Sequence, residues 1–326
     1  MAIAVIGAGM GGLSAAQELL SAGKEVRLFD KGRGPGGRMS TRWVELNGQQ
    51  VRFDHGAQYL TARSDQFQSV LEGWVESGVA AEWQAQIVDL DHHGQAKPRP
   101  KQKRYVGTPG MNGIIRHLAS DLDVKWGMRV IDIQKTSGQW RLVFEDGRAE
   151  DGFEAVILAI PAEQLPPLTR QCAPEIAKVA ERIQSEPCWT TLAVFKDRVP
   201  AEWQAARTSE GAVAWIANNA SKPQRGDFEA WVLQASANWS RTHLEEDKDV
   251  ITERMLAAFC DLTGAGAVLF ASAHRWRYAQ VHSPAPDPCY WKQELSLGVV
   301  GDWCSGPKVE DAWLSGRALA TRMLTA

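Results

Sequence analysis

The sequence predicts an α/β protein in two lobes: a Rossmann-like dinucleotide-binding domain on a parallel sheet, and a second, mixed-sheet α+β domain. Three observations carry the prediction. The first thirty residues read strand, glycine turn, helix, strand and acid. Ala155-Val-Ile-Leu-Ala-Ile160, closed by Pro161, is a fully apolar run of the kind that sits in strands buried on both faces. At 326 residues the chain also exceeds what one hydrophobic core commonly supports, about 250–300 residues.

Each element of the opening unit has a local reason. Ala2-Ile-Ala-Val-Ile6 is an apolar run of strand length, and Gly7-Ala-Gly-Met-Gly-Gly12 supplies G-x-G-x-x-G. Leu13 to Ala22 carries Leu13, Ala16, Leu19 and Leu20 at helical spacing, Gly23 stops it, and Val26-Arg-Leu-Phe29 is the next strand. In such a turn Gly7 permits the tight bend, Gly9 lets the backbone approach a pyrophosphate, and Gly12 lets helix and strand pack closely. The helix N-terminus presents N–H groups to an anion. Asp30 falls about 20 residues on, where a carboxylate accepts bonds from a ribose. The motif alone does not separate NAD from FAD.

Composition narrows the class. Hydrophobic content of 44% and charged content of 23% are those of an ordinary globular enzyme. A formal net charge of −3 gives no electrostatic reason to expect nucleic acid. Cys172, Cys188, Cys260, Cys289 and Cys304 are odd in number and hold no C-x-x-C, so neither a disulfide framework nor a zinc site is expected. No signal peptide, membrane span or terminal anchor is expected, and the expected location is the cytoplasm. Fourteen Trp against four Tyr places many indoles in the core or in pocket walls.

Further along, Lys31 to Arg42 is Gly-rich and basic, suited either to a second approach to phosphate or to a flexible surface loop. Asn47-Gly48 between two strand-like stretches is a hairpin signal. Ser64 to Ser77 reads as a helix with Phe67, Val70, Leu71, Trp74 and Val75 on one face. Trp83 to Leu90 reads as a strand, and Asp91 to Arg104 as a polar loop. Its basic run, Lys97 to Arg104, either meets an anionic substrate or simply faces water. A short helix from Gly113 and strands at 124–126, 130–134 and 139–144 follow. From Leu165 to Pro288 the character changes, with strands at 190–195, 213–217 and 230–235 and helices at 174–184 and 247–262. Leu297 to Asp302 is again a buried strand ending in a glycine and an acid, and Val309 to Leu324 is a closing helix. The dinucleotide domain is therefore expected at 1–75, 106–164 and 289–326, and the substrate domain at 76–105 and 165–288.

Four separated stretches agree with one family pattern: Val5 to Ala16, Gly36-Gly-Arg-Met-Ser-Thr41, Asp54 to Tyr59, and Gly301-Asp302 with the helix after it. The strand from Ala155 to Pro161 agrees as well. On these residues the chain resembles the FAD-dependent amine-oxidase-like flavoproteins, and within them the bacterial renalase-type enzymes. The middle lobe contributes only His274 to Ala279. The resemblance implies an FAD-binding Rossmann-like domain of the amine-oxidase type and a non-covalent FAD. It places Gly7, Gly9, Gly11 and Gly12 on the pyrophosphate, Asp30 at the adenosine ribose and Arg38 at the phosphates or flavin edge, and counts Lys31 and Met39 among the cofactor-binding residues. Gly56, Ala57, Gln58 and Tyr59 would run beside the isoalloxazine ring. The Val130 backbone would meet adenine, Asp302 the ribityl chain, and Val309 the pyrimidine end of the flavin. Asp30 departs slightly from the Glu found in many FAD proteins.

Amine oxidases of this family place a Tyr just before the last helix, whereas here the segment reads Gly306-Pro-Lys308. The Cys-containing stretch that carries covalent flavin in monoamine oxidases is also missing, and Cys304 reads as a buried thiol. These departures agree with renalases, which oxidise mis-reduced isomers of NAD(P)H carrying hydride at C2 or C6. Such a dihydropyridine expels hydride readily because its product is aromatic, so positioning suffices and no general base or metal is required. The expected partners are that dinucleotide and O2, with no nucleic acid, membrane or protein partner evident. Tyr59, Trp276 and Tyr278 are candidates for stacking on the ring, and Arg275, Arg277 and His243 for its phosphates or carboxamide; each also reads as ordinary core or surface. His55 reads as a proton carrier or as a backbone-bonded turn residue. Three alternatives stand beside this expectation: an amine or polyamine oxidase, a flavin-binding protein with a non-catalytic role, and an NAD-linked dehydrogenase.

Overall fold

The computed structural model describes residues 1–91, 93–209 and 211–326. Its first sheet has six strands in the order Tyr290–Lys292, Leu297–Val299, Ala155–Leu158, Ile3–Ile6, Val26–Asp30, Asp123–Trp126. All pairings are parallel except that of Tyr290–Lys292, and the register sets Ile3 between Ala155 and Val26. Alternate side chains leave opposite faces of these strands. Ile3, Val5 and Leu28 pack on the helices Met10–Ser21, Asn112–Ala119 and Val309–Thr325, through Leu13, Leu19, Ile114, Leu118 and Leu319. Ala4, Ile6 and Phe29 pack on the other side against Trp140, Phe144 and Phe153 of a three-stranded meander, and against Leu165 and Ile176. The sheet is thus covered on both faces, as continuous apolar strands demand.

The second large sheet has seven strands in the order Val268–Val281, Ser185–Phe195, Ala230–Gln234, Trp215–Asn218, Ala205–Arg207, Ile87–Leu90, Ala96–Pro98. Its pairings are antiparallel except that of Ala205–Arg207 with Ile87–Leu90. The helix Lys248–Thr263 lies across one face, burying Ile251, Met255 and Phe259 against Phe195, Trp203 and Trp231. Asp247 caps its first turn, and Gly264, at φ 70°, ends it in a left-handed conformation. No helix among the described residues is long and apolar enough to cross a membrane.

Several local expectations differ from the structure. Of the strand expected over 83–90 only Ile87–Leu90 forms, and a separate strand, Ala80–Glu82, precedes it in another sheet. The basic loop holds a short edge strand, Ala96–Pro98. Ala149–Phe153 and Val268–Val281 are strands that the pattern did not signal. The latter presents Arg275, Arg277 and Gln280 along one edge of the sheet, so its apolar alternation is broken. Long-range pairing with Ser185–Phe195 makes it a strand.

Candidate active-site cleft

The glycine turn is built by close approach. A Cβ on Gly12 would overlap the Gly7 carbonyl oxygen, and one on Gly7 would overlap the Ala159 carbonyl oxygen. Gly9 is different, because its Cβ direction opens on free space within the cleft. The helix Met10–Ser21 begins there with no side-chain cap and no acid in its first turn, so its end is kept for an anion supplied from outside. Asp30 braces the turn, accepting hydrogen bonds from Ala8 N at 2.7 Å and Gly32 N at 2.6 Å.

Beside the glycine turn Arg38 makes a two-pronged ion pair with Asp302, with both N–O distances 2.6 Å. The pair joins the basic glycine loop to the C-terminal strand–helix unit. A side chain on Gly56 would overlap the Arg38 carbonyl, and Ala57 N donates to that carbonyl at 2.8 Å. Residues 54–59 are thereby pressed against the Arg38 backbone. Gln58 donates to the Asp54 and Gly56 carbonyls, and Gln234 reaches Gly56 O at 2.9 Å. Behind this loop Asp54 is fully buried, 2.7 Å from Arg225 and 3.3 Å from Lys222. Burial alone would raise its carboxyl, but the two cations and the hydrogen bonds from Arg225 and Met111 N hold it down at about 2. One carboxylate cannot neutralise both partners. Burial lowers Lys222 to about 8, and Arg225 adds to the effect.

The cleft between the two sheets encloses about 840 Å3. Its near side is formed by the turn at Gly9, the Arg38 loop, residues 56–61, Asp302 and the start of the last helix at Val309. The rest of its lining is aromatic and basic, with Trp215, Trp276, Arg99, Arg104 and Arg207. An uncapped helix end, an open glycine and an arginine on one wall fit the pyrophosphate of a dinucleotide. Asp302, ion-paired to that arginine on the same wall, would hold the ribityl chain of FAD.

Of the residues expected in the site, Gly9, Gly11, Arg38, Met39, Gly56, Ala57, Gln58, Tyr59, Trp276, Asp302 and Val309 line this cleft. Gly7 and Gly12 stand behind it as packing contacts, and Asp30 as a brace. Lys31 is bonded to Gln164 at 3.0 Å, and Val130 opens the meander. The candidates His243, Arg275, Arg277 and Tyr278 do not line the cleft. His243 Nδ1 is 2.6 Å from Glu246, while Arg275 and Arg277 are bound by Glu245 at 2.9 and 2.6 Å. On a pleated strand both arginines face away from Trp276. A register irregularity opposite Glu186 and Cys188 then turns Ala279 and Gln280 to the cleft and leaves Tyr278 out.

His55 is buried beneath the loop, its ring 5.0 Å from His274 and 5.1 Å from Trp276. Burial, then His274 and Arg42, hold it down at about 4, so it is neutral at physiological pH. It does not line the cleft. Cys304 is buried, and burial pushes its thiol up. Arg207, Trp215 and Gln234 were not singled out from sequence, and Arg104 only as the end of the basic run read as meeting an anionic substrate or facing water. The one available signal was the basic run ending at Arg104, just before the apolar Tyr105–Gly107 strand.

Comparison with known proteins gives the same outline. Residues 5–74 match the family model described as an NAD(P)-binding Rossmann-like domain, and residues 76–324 match that of flavin containing amine oxidoreductase. A putative protoporphyrinogen oxidase from Exiguobacterium sp. 255-15 superposes with TM-score 0.79 at 13% identity, over 100% of this chain and 99% of that one. Wild-type putrescine oxidase bound to putrescine superposes with TM-score 0.69 at 13% identity, over all of both chains. At such identities the likeness is one of fold.

Proposed function

The chain belongs to the flavin-containing amine oxidoreductases, its cofactor is non-covalent FAD, and we propose that it oxidises the 2- or 6-dihydro isomers of NAD(P)H. The balanced reaction takes dihydro-NAD(P), O2 and one proton to NAD(P)+ and hydrogen peroxide. When bound, FAD supplies the hydride acceptor at N5 and the route by which the electron pair reaches O2.

One observation carries the reading. The only carboxylates among the described cleft-lining residues are Glu186 and Asp302. Arg241 holds the first and Arg38 the second. A protonated amine entering this cleft finds no free anion, and its desolvated charge would stand uncompensated. A dihydropyridine ring asks for no anion. Tyr59, Trp215 and Trp276 offer it flat faces. Gln58 and Gln234 fix the Gly56 carbonyl, and with it the loop against which the ring is oriented. Because the C–H bond breaks toward hydride, neutral His55 and buried Lys222 are not required to take a proton from substrate.

The test is aerobic turnover of the FAD-loaded protein with 2-dihydro-NAD, 6-dihydro-NAD and putrescine. The expected result is one NAD+ and one hydrogen peroxide per dihydro-NAD consumed, and no peroxide from putrescine. Peroxide from putrescine alone would return the chain to amine chemistry.

A further inference from the structure

We propose that the Tyr59 wall of the cleft is an oxyanion subsite, in which the Arg104 and Arg207 guanidinium groups receive an acidic group of the substrate. The inference deepens the reading above and rests on it only for the name of the substrate.

Arg104 is the anomaly that leads to it. The residue lines the cleft yet is 7% exposed, and its Nε is buried without any hydrogen-bond partner. Its one side-chain bond is from Nη1 to the Gln102 carbonyl at 3.1 Å. Among the described residues no carboxylate lies within 4.0 Å of it. A buried cation of this kind is costly unless an anion arrives. The guanidinium carbon lies 5.2 Å from the Tyr59 ring centroid, so stacking holds the fork in place while leaving N–H donors unused.

Arg207 converges on the same ring from another strand. Its Nη2 donates to the Tyr59 hydroxyl at 3.1 Å, and its guanidinium carbon lies 5.5 Å from the Trp215 ring centroid. It too has no carboxylate within 4.0 Å among the described residues. The other cleft-lining arginines are already neutralised, Arg38 by Asp302 and Arg99 by Asp89. Two uncompensated cations therefore meet at one tyrosine. A planar fork there suits a phosphate or a carboxylate oxygen pair, which is the shared chemistry of the ligand. A ring substrate with a charged tail would lay its ring on the aromatic faces and its tail on this pair.

The experiment is calorimetric titration of the FAD-loaded protein, in which the glycine turn is already filled, with inorganic pyrophosphate, glutarate and putrescine. Arg104→Gln and exposed Arg207→Gln are titrated beside the wild type, with FAD retention after gel filtration as the folding control. Pyrophosphate or glutarate is expected to bind, the tighter of them identifying phosphate or carboxylate as the natural group, and each substitution to weaken it by about tenfold. Arg104→Lys should recover part of the loss. If neither anion binds, if putrescine binds as tightly, or if both variants bind as the wild type does, the subsite is overturned. Should Arg104→Gln fail to retain FAD, Arg207→Gln decides alone by the same criterion. Anion binding that depends on the arginines, in a protein that does not oxidise dihydro-NAD, would keep the subsite and discard the substrate. Oxidation with unchanged binding in the variants would do the reverse.

Discussion

Asp54 is surrounded by more positive charge than it can balance, and that imbalance has a pH signature. Its folded-state acidity is held at about 2 against an ordinary 3.8. Stability from this carboxylate is therefore fully present above pH 3.8 and lost as pH falls toward 2. Asp54→Asn should cost about 3–5 kcal/mol at neutral pH, by leaving Lys222 and Arg225 buried and unpaired. In urea unfolding the gap to wild type should shrink as pH falls through that window, and a constant gap would contradict the assignment. His55 gives a second signature. Its folded value of about 4 lies below the ordinary 6.5, so the unfolded chain binds the extra proton and stability falls as pH drops between those values. His55→Gln should flatten the melting temperature across that interval relative to wild type. Neither residue could be ranked from sequence, because burial and a partner more than 160 residues away decide both.

The packing of the last helix on the first sets the geometry of the cleft floor. Gly316 faces the Met10–Ser21 helix so closely that a Cβ there would overlap the Gly11 carbonyl and stand 2.8 Å from Ala15 N. Glycine to alanine inside a helix ordinarily gains about 1 kcal/mol. Here the obstruction is backbone, and overpacking costs about 1–3 kcal/mol. Gly316→Ala should therefore lower stability, read from chemical denaturation; a gain would mean that the helices stand farther apart. The same helix is latched by Glu310, which is 1% exposed and accepts Ser64 N and Oγ, each at 2.7 Å, and Arg63 N at 3.0 Å. Burial pushes this carboxyl up, but those bonds outweigh it and hold it below its usual range. Glu310→Ala should cost about 3 kcal/mol, since it strands buried donors. The helices were legible from their 3.6-residue periodicity, as in Phe67, Leu71 and Trp74. The latch was not, because nothing local distinguishes Glu310 from an exposed acid in a first turn.

At the scale of the molecule, residues 264 positions apart meet in the Arg38–Asp302 pair, and the cleft lies where the two ends of the chain converge. Arg38→Gln breaks the two-pronged pair, leaves buried Asp302 without its cation at the cleft wall, and should raise the dissociation constant of FAD at least about tenfold, measured by fluorescence on release. The centre of the first sheet could be read from sequence because Ile3–Ile6, Ala155–Leu158 and Leu297–Val299 are buried apolar runs, which declare themselves without knowledge of their neighbours, whereas the edge strand Tyr290–Lys292 could not. The second sheet could be read only in part. Val268–Val281 carries charge on one face, and Arg104 closes a basic run yet turns inward because Tyr105–Gly107 pairs with Ala80–Glu82. Both are decided by partners distant in the chain. The most direct measurement of the whole account is anaerobic mixing of the FAD-loaded protein with 6-dihydro-NAD, 2-dihydro-NAD or putrescine while the flavin absorption is followed. The account expects the oxidised band to vanish within seconds for a dihydro-NAD isomer and to persist with putrescine. Bleaching by putrescine with neither dinucleotide active would contradict it.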